Sequence, residues 1–393
     1  MFLRQQFYDR ITQTSEIPQG FEISHAEGCY LFDTKGIAYL DLVSGFGVNN
    51  LGHQVPEVIR AIRQQSERYL HTNVYGEHVQ KPQIQLAERL ASLLPSTLNS
   101  FYFLSSGSEA IDAAIKLARL ATGRYEIIVC KKAYHGSTCG AESLRSDEHK
   151  LSFLPLIPGI RFIEFGNLSD LKSIGSQTAA VITEVVQAEA GVRQADPEWW
   201  SNLRKSCHQS GSLLVLDEVQ TGMGRVGSLF AFMKVNVLPD LLVTGKALGA
   251  GMPLSAVIGN VHLMKQWFKK LPLAHLTTFG GHPVSCAAAL AGIGFLMENE
   301  IMESVESKGE MLQKALVEAG FNQVRRAGLF LAIEPQHHVP ILQWLIQLYH
   351  LEMLVEGFLF DPLSLRVAPP LVIEEKDLLR FSSALVQIRT VLG

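Results

Sequence analysis

Two apolar runs in this chain each end on one charged residue: "LLVLD", closing on Asp217, and "LLVTGK", closing on Lys246. A carboxylate and a lysine at the ends of neighbouring strands can grip pyridoxal phosphate. The amine condenses with the cofactor aldehyde, and the acid pairs with the ring nitrogen so that the ring acts as an electron sink. Lys246 precedes the small-residue loop "ALGAGMP", which lets a bulky ligand approach the backbone. An amine in such a pocket loses hydration, so its pKa falls toward the range where it serves as nucleophile and proton carrier. Glu218 competes with Asp217 for the acid role, but strand alternation puts only one of them on a given face, and Asp217 is the choice. Taken alone, two charges ending apolar strands fit several phosphate or nucleotide sites.

A candidate anion seat lies upstream. "SSGSEA", Ser105 to Ala110, places Ser106, Gly107 and Ser108 between an apolar strand and an alanine-rich helix, where backbone N–H groups and the helix dipole favour a phosphate. The commoner use of Ser-Gly-Ser there is a plain helix cap. "GMGRVG", Gly222 to Gly227, matches the dinucleotide fingerprint by letter, but no strand runs directly into it and Asp240 begins a strand instead of ending one. A nucleotide phosphate loop at Lys246 fails because Ala247 replaces the Ser or Thr that would hold magnesium. Neither G-x-S-x-G nor H-E-x-x-H occurs, so hydrolase and zinc readings have no anchor.

These residues need elements to position them. "GCYLFD" and "AYLDLV" flank the turn "DTKG" and predict a hairpin; "PEVIRAIRQQSERYL" predicts a helix. Apolar strands then alternate with helices from "SFYFLSS" to "LSAVIGN", which argues an α/β layered domain with a mainly parallel central sheet covered by helices. Ligands of such sheets gather at the carboxyl ends of the strands. Beyond Pro283, a helical stretch, "LFLAIE", another helix and "SLRVAPPL" read as a smaller α+β domain. The expected division is an N-terminal segment 1–50 packing with the small domain, a large cofactor-binding domain 51–290 and a C-terminal small domain 291–393.

Composition limits the partners. With 34 basic against 38 acidic residues and a formal charge of -4, nothing draws nucleic acid or anionic lipid by bulk electrostatics. The longest apolar run, about Val284 to Met297, falls short of the ~20 residues of a membrane span. Cys29, Cys130, Cys139, Cys207 and Cys286 are widely spaced and form no C-x-x-C, as in a reduced protein. The start, broken by Arg4, Asp9 and Arg10, lacks a signal-peptide core. A cytoplasmic protein is expected.

Over nearly its whole length the chain resembles the class III, fold type I pyridoxal-phosphate-dependent aminotransferases, a group that includes the acetylornithine, ornithine and 4-aminobutyrate enzymes. The matching pieces are "SGSEA", "AYHGST", "LDEVQTGMGRVG", "LLVTGKALGAGMPLSA", "TTFGGHPVSCAAA" and "LRVAPPLVI". The resemblance implies that Ser106, Gly107 and Ser108 hold the phosphate, Tyr134 stacks on the ring with His135 beside it, and Asp217 pairs with the pyridine nitrogen. It further implies Gln220 at the ring hydroxyl, Lys246 as the cofactor lysine, and Thr278 reaching the phosphate of the other subunit of a homodimer. Arg366 would clamp a substrate carboxylate, a task its planar fork suits, with Glu189 its partner when no carboxylate is bound. The implied activity is ping-pong transfer of an amino group from an amine or amino acid to a 2-oxo acid, 2-oxoglutarate being the expected acceptor. An aminomutase or a diaminopelargonate-type aminotransferase is the alternative. One departure concerns the donor: family members that bind a remote carboxylate carry arginine after the His-Gly step, where this chain has Ser137. Arg145 and Arg193 are the nearby candidates to replace it.

Overall fold

The computed structural model describes residues 3–335 and 339–392, so the first two residues of the N-terminal segment lie outside it. Asp33 turns the predicted hairpin: its Oδ1 accepts the N–H groups of Lys35 (2.8 Å) and Ile37 (2.9 Å). Strands β1 (Ile23–Glu27), β2 (Tyr30–Asp33) and β3 (Ala38–Asp41) form an antiparallel meander there.

Seven strands make the central sheet. In chain order they are β4 (Ser100–Leu104), β5 (Glu126–Cys130), β6 (Ile160–Ile163), β7 (Thr178–Glu184), β8 (Leu213–Asp217), β9 (Leu241–Thr244) and β10 (Ser255–Gly259). Their spatial order is β4-β10-β9-β8-β7-β5-β6, parallel except for β10, which runs antiparallel to both neighbours. The connection 245–254 is too short for the dozen or so residues a parallel crossover needs, so the chain turns straight back.

Alternation along the strands sends side chains into two cores. Leu214, Leu216 and Leu242 face one with Trp199, Trp200 and Leu203 of the helix Pro197–Ser210. Val215, Leu241 and Val243 face the other with Ala110, Ile111, Ala114 and Leu117 of the helix Gly107–Thr122. All of these are buried, each contributing about 1.5–3 kcal/mol for a large aliphatic side chain. This rigid double-sided packing fixes where β8 and β9 end.

In the C-terminal part, β11 (Gln323–Ala327), β12 (Phe330–Glu334) and β14 (Leu365–Val367) form an antiparallel sheet, while β13 (Met353–Leu354) pairs in parallel with β3. The expected domain boundary at 290/291 needs correction. It falls inside the helix Pro283–Glu298, which packs on the helices Pro56–Ser66 and Lys81–Leu93; the chain bends by 72° only between that helix and Glu303–Glu318. Among the described residues no single helix is long and apolar enough to cross a membrane.

The glycine-rich segment serves this assembly. Arg225 is fully buried, donating to Leu329 O (3.1 Å), Pro369 O (2.6 Å) and Ser44 Oγ (3.0 Å), and burial pulls its guanidinium down to about 9. It fastens the N-terminal segment to the C-terminal sheet, its guanidinium committed to protein acceptors.

Candidate active site

Strands β8 and β9 lie side by side, and their carboxyl ends deliver Asp217 and Lys246 to one cleft of about 180 Å³. Gly107, Ser108, Tyr134, His135, Glu184, Glu189, Val219 and Gln220 are among the residues that line it.

Lys246 adopts φ +47, a left-handed conformation costly for a side chain with a Cβ and typical of functional positions. Its Nζ donates to Gln220 Oε1 at 2.8 Å. Burial is the main influence on this amine and lowers it to about 8, with Glu189 opposing and Arg366 assisting.

Asp217 is buried and doubly held: Oδ2 meets His135 Nδ1 at 2.7 Å, and Oδ1 accepts Val219 N–H at 3.0 Å. Burial depresses the His135 imidazole, but the bond to Asp217, its charge and that of Glu184 outweigh this and leave it raised. His135 therefore stands behind the carboxylate and keeps it oriented. Glu218 points the other way and accepts Ala231 N–H, Phe232 N–H and Thr221 Oγ1–H, so its task is structural.

The loop 134–137 closes onto the helix Gly107–Thr122. Gly136, at φ +126, brings it so near that a Cβ would sit 2.0 Å from Ser108 Oγ, which accepts Ser137 N–H at 3.1 Å. Gly107 likewise admits Val219, whose Cγ1 a Cβ would meet at 2.9 Å.

Arg366 is fully buried on β14, its guanidinium among the rings of Phe358 (4.4 Å), Phe46 (5.1 Å) and Phe330 (5.9 Å). Nη2 forms an ion pair with Glu189 Oε2, yet among the described residues neither Nη makes an aligned hydrogen bond, whereas Nε donates to Gly357 O. Glu189 Oε2 also accepts Leu359 N–H at 3.1 Å. A buried guanidinium with both Nη groups short of hydrogen bonds has donors open to an acceptor.

Of the residues singled out from sequence, Gly107, Ser108, Tyr134, His135, Asp217, Gln220, Lys246 and Glu189 line the cleft, and Arg366 adjoins it through Glu189. Two stand apart. Ser106 caps the helix, accepting Glu109 N–H at 3.3 Å, so its hydroxyl is engaged as the plain cap foreseen as the commoner use. Thr278 is exposed and outside the cleft of its own chain; its carbonyl meets His71 Nε2 at 2.9 Å. Arg193 is exposed and donates to Ala190 O, whereas Arg145 is buried and forked onto Asp147.

Sequence reasoning missed Glu184 and Val219 as cleft residues and the aromatic cage of Arg366. Glu184 is buried and raised by desolvation to about 7, its oxygens accepting Tyr134 N–H (3.0 Å) and Ala188 N–H (2.9 Å). Val219 was within reach, since two residues beyond Asp217 it returns to the same face. The cage was not, because its rings come from three distant segments.

The site fits pyridoxal phosphate. Gln220 Nε2 is a buried donor without a partner among the described residues, on a side chain that lines the same cleft as Asp217 and Lys246, and the glycine-opened helix start offers the anion seat. A mainly parallel sheet with a lysine and an acid at adjacent strand ends defines the fold type I class of pyridoxal-phosphate enzymes. The chain belongs to the class-III aminotransferases: the family model matches residues 12–388. It is similar to the ornithine aminotransferase of Toxoplasma gondii, with 26% identity and a TM-score of 0.90 over 98% of this chain and 93% of that one. It is also similar to an (S)-enantioselective omega-transaminase from Thermomicrobium roseum, with 28% identity and a TM-score of 0.89 over 99% and 98%. A transaminase from the marine bacterium Virgibacillus shares the fold, with 24% identity and a TM-score of 0.92 over the full length of both chains. Another structure of the Toxoplasma gondii enzyme has pyridoxal phosphate at partial occupancy in its active site. The protein is thus a pyridoxal-phosphate-dependent aminotransferase.

Proposed function

We propose that the enzyme works by a ping-pong sequence in which an amine or amino-acid donor and a 2-oxo acid use the same seat in turn. Bound pyridoxal phosphate supplies an aldehyde for the amine and an electron sink for the carbon that loses its proton. Gly107 and Ser108 N–H groups and the Ser108 hydroxyl would hold the phosphate, Tyr134 and Val219 would cover the ring, and Gln220 Nε2 would donate to the ring hydroxyl. Asp217, oriented by His135, would hold the proton at the ring nitrogen. Lys246 Nζ would hold the cofactor and, when free, would accept the proton of the amine-bearing carbon and hand it on. Arg366 takes the carboxylate of the oxo acid as Glu189 swings away.

The observation that carries this reading is Lys246 itself, a half-buried side chain whose amine desolvation lowers to about 8 and which donates to Gln220 in the cleft that holds Asp217. The exposed Thr278, flanked by exposed Leu276 and Phe279, supports a homodimer in which a second copy covers this surface. The free cysteines support a reducing, cytoplasmic setting. Single amines mixed with the holoenzyme test the proposal. At least one should bleach the visible cofactor band, with a 2-oxo acid restoring it; no bleaching across ornithine, lysine, 4-aminobutyrate, alanine, aspartate and glutamate would sink it.

A further inference from the structure

Two buried arginines lie beside the cleft, and their situations differ. Arg366 has both Nη groups without aligned hydrogen bonds and, among the described residues, pairs with Glu189. Arg145 is engaged by an acid two residues on: Nε donates to Asp147 Oδ1 (2.8 Å) and Nη2 to Asp147 Oδ2 (2.6 Å), a two-point fork. Glu142 adds a second carboxylate 3.7 Å from Nε. The hydrogen bond to Asp147 is also the main influence that raises the Arg145 guanidinium, with the Tyr134 phenol among the groups near enough to contribute.

Arg145 nevertheless packs against the cleft wall from behind. Its guanidinium lies 5.3 Å from the centre of the Phe360 ring, and Phe360 N–H donates to Glu189 O at 3.0 Å. Glu189 lines the cleft, so Arg145 is joined to that wall through Phe360. The wall itself carries three carboxylates, Glu184, Glu189 and Asp217, against one lysine. A second substrate carboxylate meets acids there, while the charge of the neighbouring Arg145 is already paired with Asp147 and Glu142.

We infer that Asp147 is a specificity-determining residue: by holding Arg145 in a fork it leaves the site one carboxylate seat, Arg366. The site therefore selects oxo acids with a single carboxylate and amines without a distal one. This rests on the aminotransferase reading above and departs from 2-oxoglutarate as the acceptor, since that acid carries two carboxylates. Ser137, hydrogen-bonded to the Tyr134 hydroxyl at 3.0 Å, supplies no charge in its place.

The test uses non-reacting acids as well as substrates. Titration of the holoenzyme with propionate and with glutarate, followed by calorimetry, should show glutarate binding no tighter than propionate. KM for pyruvate should lie at least tenfold below that for 2-oxoglutarate. D147N releases the fork and should tighten glutarate at least fivefold while changing propionate less than twofold. R145M, which removes a guanidinium already withheld, should leave wild-type selectivity intact, and it decides the matter if D147N does not fold. Glutarate binding tenfold tighter than propionate in the wild type, an unchanged ratio in D147N, or a tenfold loss of glutarate affinity in R145M would overturn the inference. Each of these outcomes leaves the aminotransferase reading standing, whereas failure of every amine to bleach the cofactor would sink that reading while the carboxylate titrations still report.

Discussion

Glu189→Gln isolates the competition for Arg366. In the resting enzyme Glu189 occupies the guanidinium as a charged partner, and an incoming carboxylate must displace it. Glutamine keeps an acceptor for the Leu359 N–H and for Arg366 but removes the charge. Hydrogen bonds to charged groups contribute about 1.5–3 kcal/mol, and moving from a pair charged on both sides to one charged on the guanidinium alone takes the competitor from the upper to the lower end of that range, a weakening of about 1–1.5 kcal/mol. That is roughly a five- to twelvefold gain in carboxylate affinity. The cost falls on stability. Removing one partner of a buried pair costs about 3–5 kcal/mol when nothing replaces it. Here the retained amide oxygen, the Gly357 carbonyl and three aromatic faces limit the loss to a drop of a few degrees in melting temperature. Calorimetric titration with propionate and a thermal melt of the same sample read both effects. Unchanged or weaker propionate binding in Glu189→Gln would refute the idea that Glu189 competes for this seat.

Two further perturbations probe the cofactor side. Gly136→Ala places a methyl group 2.0 Å from Ser108 Oγ at a φ that only glycine adopts freely, so the loop carrying Tyr134 must lift off the helix start. Cofactor affinity, titrated by absorbance on the apoprotein, should fall more than tenfold; an unaltered affinity would show that the loop does not hold the ring. Capture of pyridoxal phosphate by the apoprotein needs neutral Lys246, so its rate should rise with pH and level off above about 8. An inflection near the ordinary lysine value of 10.5 would mean a solvated amine.

The parts legible in sequence are those where one physical signal acts over a short stretch. The runs ending in Asp217 and Lys246 are buried on both faces of a parallel sheet, which removes polar residues until the strand ends, so the functional charges stand out. The reversal of β10 was readable as well, from the shortness of 245–254, though alternation alone gave no direction. Ser106 shows the limit of motif matching: capping box and phosphate loop share the same letters, and here Glu109 claims the hydroxyl while its own carboxylate reaches Ser105 N–H at 2.9 Å. The surroundings of Arg366 were illegible. Phe46 reaches it through a left-handed turn in which Ser44, Gly45, Phe46 and Gly47 all have positive φ, and Phe330 and Phe358 arrive from the C-terminal part. No local propensity encodes such a turn; tertiary packing imposes it. The division at 290/291 failed for a related reason, since a long apolar helix carries no mark of which domain it will pack against.

Lys246 is assigned the uptake of pyridoxal phosphate and the movement of the proton. Purified Lys246→Ala, saturated with the cofactor and mixed with an amine that bleaches the wild-type enzyme, tests this assignment in one spectrum. The variant should show no lysine-linked visible band and no turnover, with a melting temperature close to that of the wild-type apoprotein. A persistent band with amine-dependent bleaching at the wild-type rate would contradict it.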